Sequence, residues 1–315
     1  MDVAALYRVI KPNIVGIINT ILPKAMSLTN EERDLWSEDP VRFVNQVNDM
    51  EYEYFSVRSE SGSFIKHLAK VRAGDILTNF LQYLQTSFSH FSSQEASQEY
   101  AQKEWMLYAL ELLAKNILSK NDLVTSMEEF LYNYVFPEFQ SSIGFLRARA
   151  CCVYAAFDKL PFSSEEHKNA AISSILNCLN DNEFPVCVTA ALSLAKFINE
   201  STKVLFAPYV IQIVEKLIYI LQTAIVEEIM SLFNDLLNTF EQELIPLSMQ
   251  ILQVLFAAFE NYTKDEENDN AFYTAVSTFD CIVSIVRNAC SKQEYYDSVT
   301  AYVFPYISVL HSLIH

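Results

Sequence analysis

Paired α-helices stacked in a row, with no β-sheet, are what this sequence predicts, and three observations carry the prediction. The hydrophobic period stays close to 3.6 along the chain, and no stretch of strict apolar/polar alternation occurs. Only 4 glycines and 9 prolines stand among 315 residues, too few for a turn-rich β architecture. Two kinds of helical segment alternate, one apolar nearly all round and one with a broad polar face.

Taken from the amino terminus, the first third is expected to hold helices near 3–26, 41–56, 62–90 and 98–118, less regularly spaced than those of the later two thirds. In the first of these, Val9, Ile10, Ile14, Val15, Ile17, Ile18, Ile21 and Leu22 surround the helix. Outer-layer helices are then expected near 122–139, 166–180, 204–221, 242–262 and 293–314. Inner helices are expected near 145–159, 185–199, 223–240 and 271–290. In the segment 186–200 the polar positions Thr189, Ser193, Lys196 and Glu200 form one narrow stripe, which marks a helix buried on most sides. In 208–220, Gln212, Glu215, Lys216 and Tyr219 share a wider face, as an outer helix requires. Pro23, Pro137, Pro208, Pro246 and Pro305 all fall in outer helices, where a lost backbone bond can face water. Ser89 to Gln98 and Thr263 to Asn270 are expected loops.

The units repeat. Leu146-Arg147-Ala148-Arg149-Ala150 superimposes on Val186-Cys187-Val188-Thr189-Ala190 at an offset of 40, and Tyr134-Val135-Phe136-Pro137 recurs as Tyr302-Val303-Phe304-Pro305 at an offset of 168. A period near 40 with two helices per unit is the signature of HEAT and armadillo repeats. The expectation is one continuous right-handed α-solenoid over 1–315, less regular over 1–120 and regular over 121–315. Both end helices are apolar all round, whereas a terminal repeat needs a polar outer face. The array is therefore expected to be a fragment of a longer solenoid.

Composition narrows the function. With 39 acidic and 22 basic side chains the net charge is -17, which disfavours direct nucleic-acid binding because phosphate neutralisation needs Lys and Arg in excess. The apolar stretch from Tyr209 to Val226 is broken by Gln212, Glu215, Lys216 and Gln222, so no membrane insertion is expected, and Met1-Asp2 does not open a secretory leader. Six cysteines without a CxxC are read as reduced core thiols. Gly16, Gly62, Gly74 and Gly144 cannot build a phosphate loop or a nucleophile elbow. No HExxH surrounds His67, His90, His167, His311 or His315. Asp265-Glu266-Glu267-Asn268-Asp269 fits a D-[DE]-x-x-D magnesium pattern, but it lies between helices without a second acidic motif, and as a calcium loop it lacks the glycine and the closing Glu. No catalytic residue, metal or cofactor is expected.

The acid is concentrated. Residues 31–60 carry nine acidic and three basic side chains, and residues 227–297 carry thirteen and three. Such fields steer cationic ligands. Asp265, Glu266, Glu267 and Asp269, with Glu227 and Glu228 at the start of an inner helix, are the candidate contacts for a basic partner.

Lys11-Pro12-Asn13-Ile14-Val15-Gly16-Ile17-Ile18, Leu35-Trp36-Ser37-Glu38-Asp39-Pro40, Phe145 to Cys151 and the stretch from Asn180 through Ala191 resemble the importin-beta superfamily, most closely the middle of importin seven and importin eight type receptors. The resemblance implies a nuclear transport receptor that shuttles between cytoplasm and nucleus and docks at the nuclear envelope. It implies three kinds of partner: basic cargo such as histones or ribosomal proteins, phenylalanine-glycine nucleoporins, and Ran-GTP through repeats mostly lying outside this chain. Two other readings stand beside it, a HEAT scaffold of a phosphatase or vesicle-coat complex and, more remotely, an all-helical magnesium enzyme.

Overall fold

The computed structural model describes residues 8, 10–48, 56–71, 73–91, 97–264 and 269–314, with side chains described over the same residues except 73, 75, 97–99, 264, 269–273 and 307–314. Every regular element among them is helical. After a broken segment over residues 11–26 come α1 (Asn30–Glu38), α2 (Pro40–Val47), α3 (Val57–Val71), α4 (Ala73–Phe88), α5 (Ser97–Leu118), α6 (Asn121–Phe130) and α7 (Gly144–Ala156). The chain continues through α8 (Glu165–Cys178), α9 (Phe184–Leu194), α10 (Val210–Thr223), α11 (Glu227–Thr239), α12 (Ser248–Lys264), α13 (Asp269–Cys290) and α14 (Gln293–Ile314). The contacts divide it into two compact units, Met1–Lys196 and Phe197–His315.

In the first unit α3, α5, α7 and α9 form one row, and ion pairs record the stacking of each helix on its predecessor. Arg58 of α3 meets Glu104 of α5, Arg149 of α7 meets Glu104 and Glu111, and Arg147 of α7 meets Asp181 and Glu183 just ahead of α9. The second row is α4, α6 with its extension to Gln140, and α8. Rings bind that row together, with Phe88 stacked on Tyr134 at 5.6 Å and Tyr132 on His167 at 4.2 Å. Small residues let the first row close up. Ala148, Ala150, Cys151, Ala190 and Ala191 are all buried, as HEAT-type packing of helix pairs requires.

In the second unit α11 and α13 run parallel. Cys281 Sγ lies 3.4 Å from Met230 O, Ser284 Oγ donates to Asn234 Oδ1 at 3.1 Å, and Asn288 Nδ2 donates to Leu237 O at 3.5 Å. The near-constant offset is that of successive repeats. Helices α10, α12 and α14 form the other row, joined by Tyr262 OH donating to Leu221 O and by Phe256 stacked on Tyr306 at 4.0 Å.

The prolines distort the helices that hold them. Pro208 and Pro246 sit in 3-10 turns, Pro137 follows the π-helical turn Leu131–Val135, and Pro23 follows another at Ile17–Ile21. Each ring removes one i→i−4 bond, and the neighbouring turn tightens or widens to absorb the loss. Pro305 lies inside α14.

Four expectations need correction. The helix expected over 62–90 is two, α3 and α4, and Gly74 in the first turn of α4 adds little helix preference at the break. The helix expected over 41–56 is preceded by α1, and α2 ends at Val47. The Leu-Trp-x-Glu-Asp-Pro segment explains this local structure. Thr29 and Glu32 close a capping box on α1, while Asp39 caps α2 by accepting from Arg42 N at 3.1 Å, with Pro40 at its first position. Third, α9 is buried on most sides as expected, but the Thr189, Ser193, Lys196, Glu200 stripe does not run along one helix: α9 ends at Leu194, Ser193 is buried where α2 packs against it, and the exposed Lys196 and Glu200 lie beyond its end. Fourth, the segments Lys203–Thr223 and Glu241–Thr263 are long and apolar enough to cross a membrane by length and composition, against the expectation. In the fold their apolar residues, Val210, Ile213, Val214, Leu217, Ile251, Leu252 and Leu255 among them, enter the core of the second unit. The apolar circumference expected of the first and last helices falls partly on residues 1–7 and 9 and on side chains beyond 306, outside the described residues. All six cysteines are free thiols.

Candidate protein-binding surface

Two helices build the surface that the charge pattern singled out. In α11, Glu227 and Glu228 occupy the first turn, where carboxylates also favour the helix dipole, and both are exposed. Ser231, Asp235 and Asn238 continue the same exposed face. Alongside, α13 exposes Val276, Phe279 and Val283 at 50%, 38% and 38%, with Asp280 among them. Spacings of three, four and seven place these four on one face of a helix.

The parallel register decides which residues meet. Met230 lies beside Cys281 and Asn234 beside Ser284, so Glu227 and Glu228 fall beside residues near 278 and not beside the start of α13. Asp265, Glu266 and Glu267 lie outside the described residues. Asp269 opens α13, about nine residues before the level of Glu227, roughly 13 Å at 1.5 Å per helical residue. The carboxylates that the fold groups with α11 are therefore Asp235 and Asp280, which sequence reasoning passed over. Both act on the buried Cys281 thiol between them, which burial first, then Asp280 and Asp235, push up to about 12. Each had been only one acid in a window read as a sum. The signal that could have found them is the 50-residue offset, which aligns their helices.

Chemically the surface is a mixed one. Carboxylates line α11, and an apolar stripe on α13 lies next to them. It can hold a basic segment by charge and bury an apolar side chain of the same segment beside it.

The first unit holds a different cavity, a groove of about 510 Å³ between α1 and α2 on one side and α3, α5, α7 and α9 on the other. Trp36 is its hinge pin: its ring packs on Phe43 and Phe145, and Nε1 donates to Glu183 Oε2 at 2.5 Å. Glu104 lies at the floor with 1% exposure, accepting from Arg58 at 2.5 and 2.9 Å and from Arg149 at 3.0 and 3.2 Å. Both guanidiniums lie over the Tyr108 ring, at 4.1 and 4.8 Å. Burial raises the Glu104 pKa and the two arginines more than offset it, leaving the carboxyl below its ordinary range. Arg149 is likewise kept charged: burial opposes its charge, and Glu111 and Glu104 outweigh burial. Two arginines and two glutamates cancel, so the groove floor attracts neither sign. Among the described residues no three His, Cys, Asp or Glu side chains gather as a metal site would need.

A family profile described as importin-9 central HEAT repeats matches residues 13–268. The chain belongs to this importin HEAT-repeat family. Its similarity to curated relatives runs the same way. It is 26% identical over 90% of its length to importin-8 of Homo sapiens, and 25% identical over 96% to an importin beta-like SAD2 homolog of Arabidopsis thaliana. A probable importin-7 homolog of Dictyostelium discoideum is 22% identical over 98% of the chain. This importin segment spans 28–30% of the length of those relatives.

Proposed function

We propose that this chain is the central segment of a nuclear transport receptor, and that it recognises protein without catalysing a reaction. The observation that supports the reading is the α11/α13 surface: exposed Glu227, Glu228, Asp235 and Asp280 beside an exposed apolar stripe, in a chain whose family is that of importins. Its partner is a basic cargo segment of the histone-tail or ribosomal-protein kind. The acidic run Asp265, Glu266, Glu267 and Asp269, which the sequence places before α13, adds to the negative charge that draws cationic cargo. Ran-GTP and phenylalanine-glycine nucleoporins are partners of the whole receptor, which moves between cytoplasm and nucleus and meets the nuclear envelope in passage.

The test is fluorescence anisotropy of a labelled lysine-rich peptide titrated with the full chain. Binding weakens as salt rises, because exposed charge is screened over about 8 Å at physiological ionic strength. The variant E227Q/E228Q/D235N/D280N binds at least about fourfold more weakly, since each exposed pair contributes roughly 0.2–1 kcal/mol and four are removed. Binding indifferent to both changes rejects the acidic surface. Capture of a phosphatase or coat subunit without any basic-peptide binding favours the scaffold reading.

A further inference from the structure

The α11/α13 surface carries a cation at one end. Arg287 is exposed and lies eleven residues after Val276, seven after Asp280 and four after Val283, spacings that put it on the same face of α13. It stands in the last turn, where a cation favours the helix dipole. Among the described residues it has no ion pair or hydrogen bond, so its guanidinium is open to a partner.

The carboxylates of its own unit leave it so. Asn234 beside Ser284 and Leu237 beside Asn288 set Asp235 near the level of residue 285, yet Asp235 and Arg287 form no ion pair. The carboxylates of this unit outside the described side chains run from Asp265 to Asp269, at the opposite end of α13. Asp269 is 18 residues before Arg287, about 27 Å along the helix. Residues 307–315 carry no acidic side chain.

The charges therefore have an order along the surface. Glu227, Glu228 and Asp280 share one level, Phe279 and Val283 lie beside and beyond it, and Arg287 follows about 10 Å past Asp280, seven residues at 1.5 Å each. An extended segment rises about 3.3 Å per residue and covers that span in three. Its side chains alternate, so a segment laid along the seam turns its first and third toward α11 and its second and fourth toward α13. The step from second to fourth, about 6.6 Å, matches the roughly 6 Å from Val283 to Arg287. In the seam, half-buried Asn234 accepts from Ser284 through Oδ1, and its amide nitrogen, without a partner among the described residues, can donate to a main-chain carbonyl.

We infer that this surface selects a basic segment of a partner protein in which a carboxylate stands three residues from a lysine, with an apolar residue between them. The pattern is Lys-Leu-Lys-Glu or, for a chain running the other way, Glu-Lys-Leu-Lys. The lysines meet Glu227, Glu228 and Asp235, the apolar side chain packs on Phe279 and Val283, and the carboxylate pairs with Arg287. The inference rests on the reading of α11/α13 as a surface for basic partners, and adds one opposite charge at a fixed place. A wholly basic tail sets a like charge against Arg287 and is held less well.

The test measures anisotropy of four fluorescein-labelled peptides with the full chain: Lys-Leu-Lys-Glu, Glu-Lys-Leu-Lys, and the same two with Gln in place of Glu, all in Gly-Ser flanks. One Glu peptide is expected to bind about threefold more tightly than its Gln counterpart, the size of one exposed ion pair, although it is the less positive of the two. R287Q abolishes the preference. R287E reverses it, with helical circular dichroism unchanged in both, and a residue that only supported the fold would not exchange one preference for the other. Gln peptides that bind as well as or better than both Glu peptides, or a preference that persists in R287E, overturn the inference while basic-peptide binding stands. Failure of all four peptides to bind overturns it together with the reading it rests on.

Discussion

Replacing Glu104 by Gln is the sharpest perturbation of the first unit. The carboxylate accepts four hydrogen bonds from Arg58 and Arg149. A carboxamide of the same shape keeps one acceptor oxygen and no charge. Arg149 retains Glu111 and Arg58 retains the carbonyl of Met26, so neither guanidinium is wholly orphaned. Breaking a buried pair by removing one partner typically costs about 3–5 kcal/mol, and the retained contacts put E104Q near ~3 kcal/mol. With a urea slope of about 2–3 kcal/mol per molar, the midpoint falls by roughly 1–1.5 M. The quadruple variant R58M/E104L/E111L/R149M removes the charges together and is expected to be neutral or up to about 4 kcal/mol more stable. The pH dependence has the same sign. The folded-state pKa of Glu104 lies below its ordinary 4.5, so its contribution is complete above that value and is lost as pH falls through the folded pKa. The gap between wild type and E104Q therefore narrows on acidification. Urea melts at pH 7 and pH 4 measure both effects. An E104Q penalty under about 1 kcal/mol, or one that widens in acid, would refute the reasoning built on the buried network.

Two further outcomes are expected. A Cβ on Gly62 would stand 2.6 Å from Leu112 Cδ1 and 3.4 Å from Tyr108 OH, so G62A overpacks the α3/α5 contact and costs about 1–3 kcal/mol despite the better helix former; a melting temperature equal to wild type would contradict that contact. The Cys152 thiol, which lines the groove, is pushed up to about 12, chiefly by burial. Its alkylation by iodoacetamide at pH 8 is therefore slower than that of an unstructured peptide thiol, since the thiolate is the nucleophile. Mass-spectrometric rates check this, and peptide-like labelling of the folded chain runs against it.

Much of the fold is legible in the sequence because each helix solves a local problem. Its apolar face recurs at 3.6 and its stacking partner lies about 40 residues away, so α7, α8, α9, α11 and α13 fall close to their expected places. What was illegible is what skips repeats. Trp36 reaches Glu183 across 147 positions, and nothing local announces that α1 and α2 pack on α7 and α9 instead of extending the stack. That packing covers Ser193, which alone reads as a solvent position. The candidate surface was half legible for a similar reason. Glu227 and Glu228 announce themselves as a pair at a helix start, while Asp235 and Asp280 are single charges whose neighbourhood exists only once α11 and α13 are set parallel.

The most direct measurement of the central claim is photo-crosslinking of a lysine-rich peptide carrying benzoylphenylalanine to the full chain, with the adducts located by mass spectrometry. Adducts on the exposed face of α13, at Val276, Phe279 or Val283, are the predicted result, and they disappear in high salt. Adducts confined to residues before Lys196, or crosslinking that salt leaves unchanged, would contradict an acidic, apolar-striped protein-binding surface on the second unit.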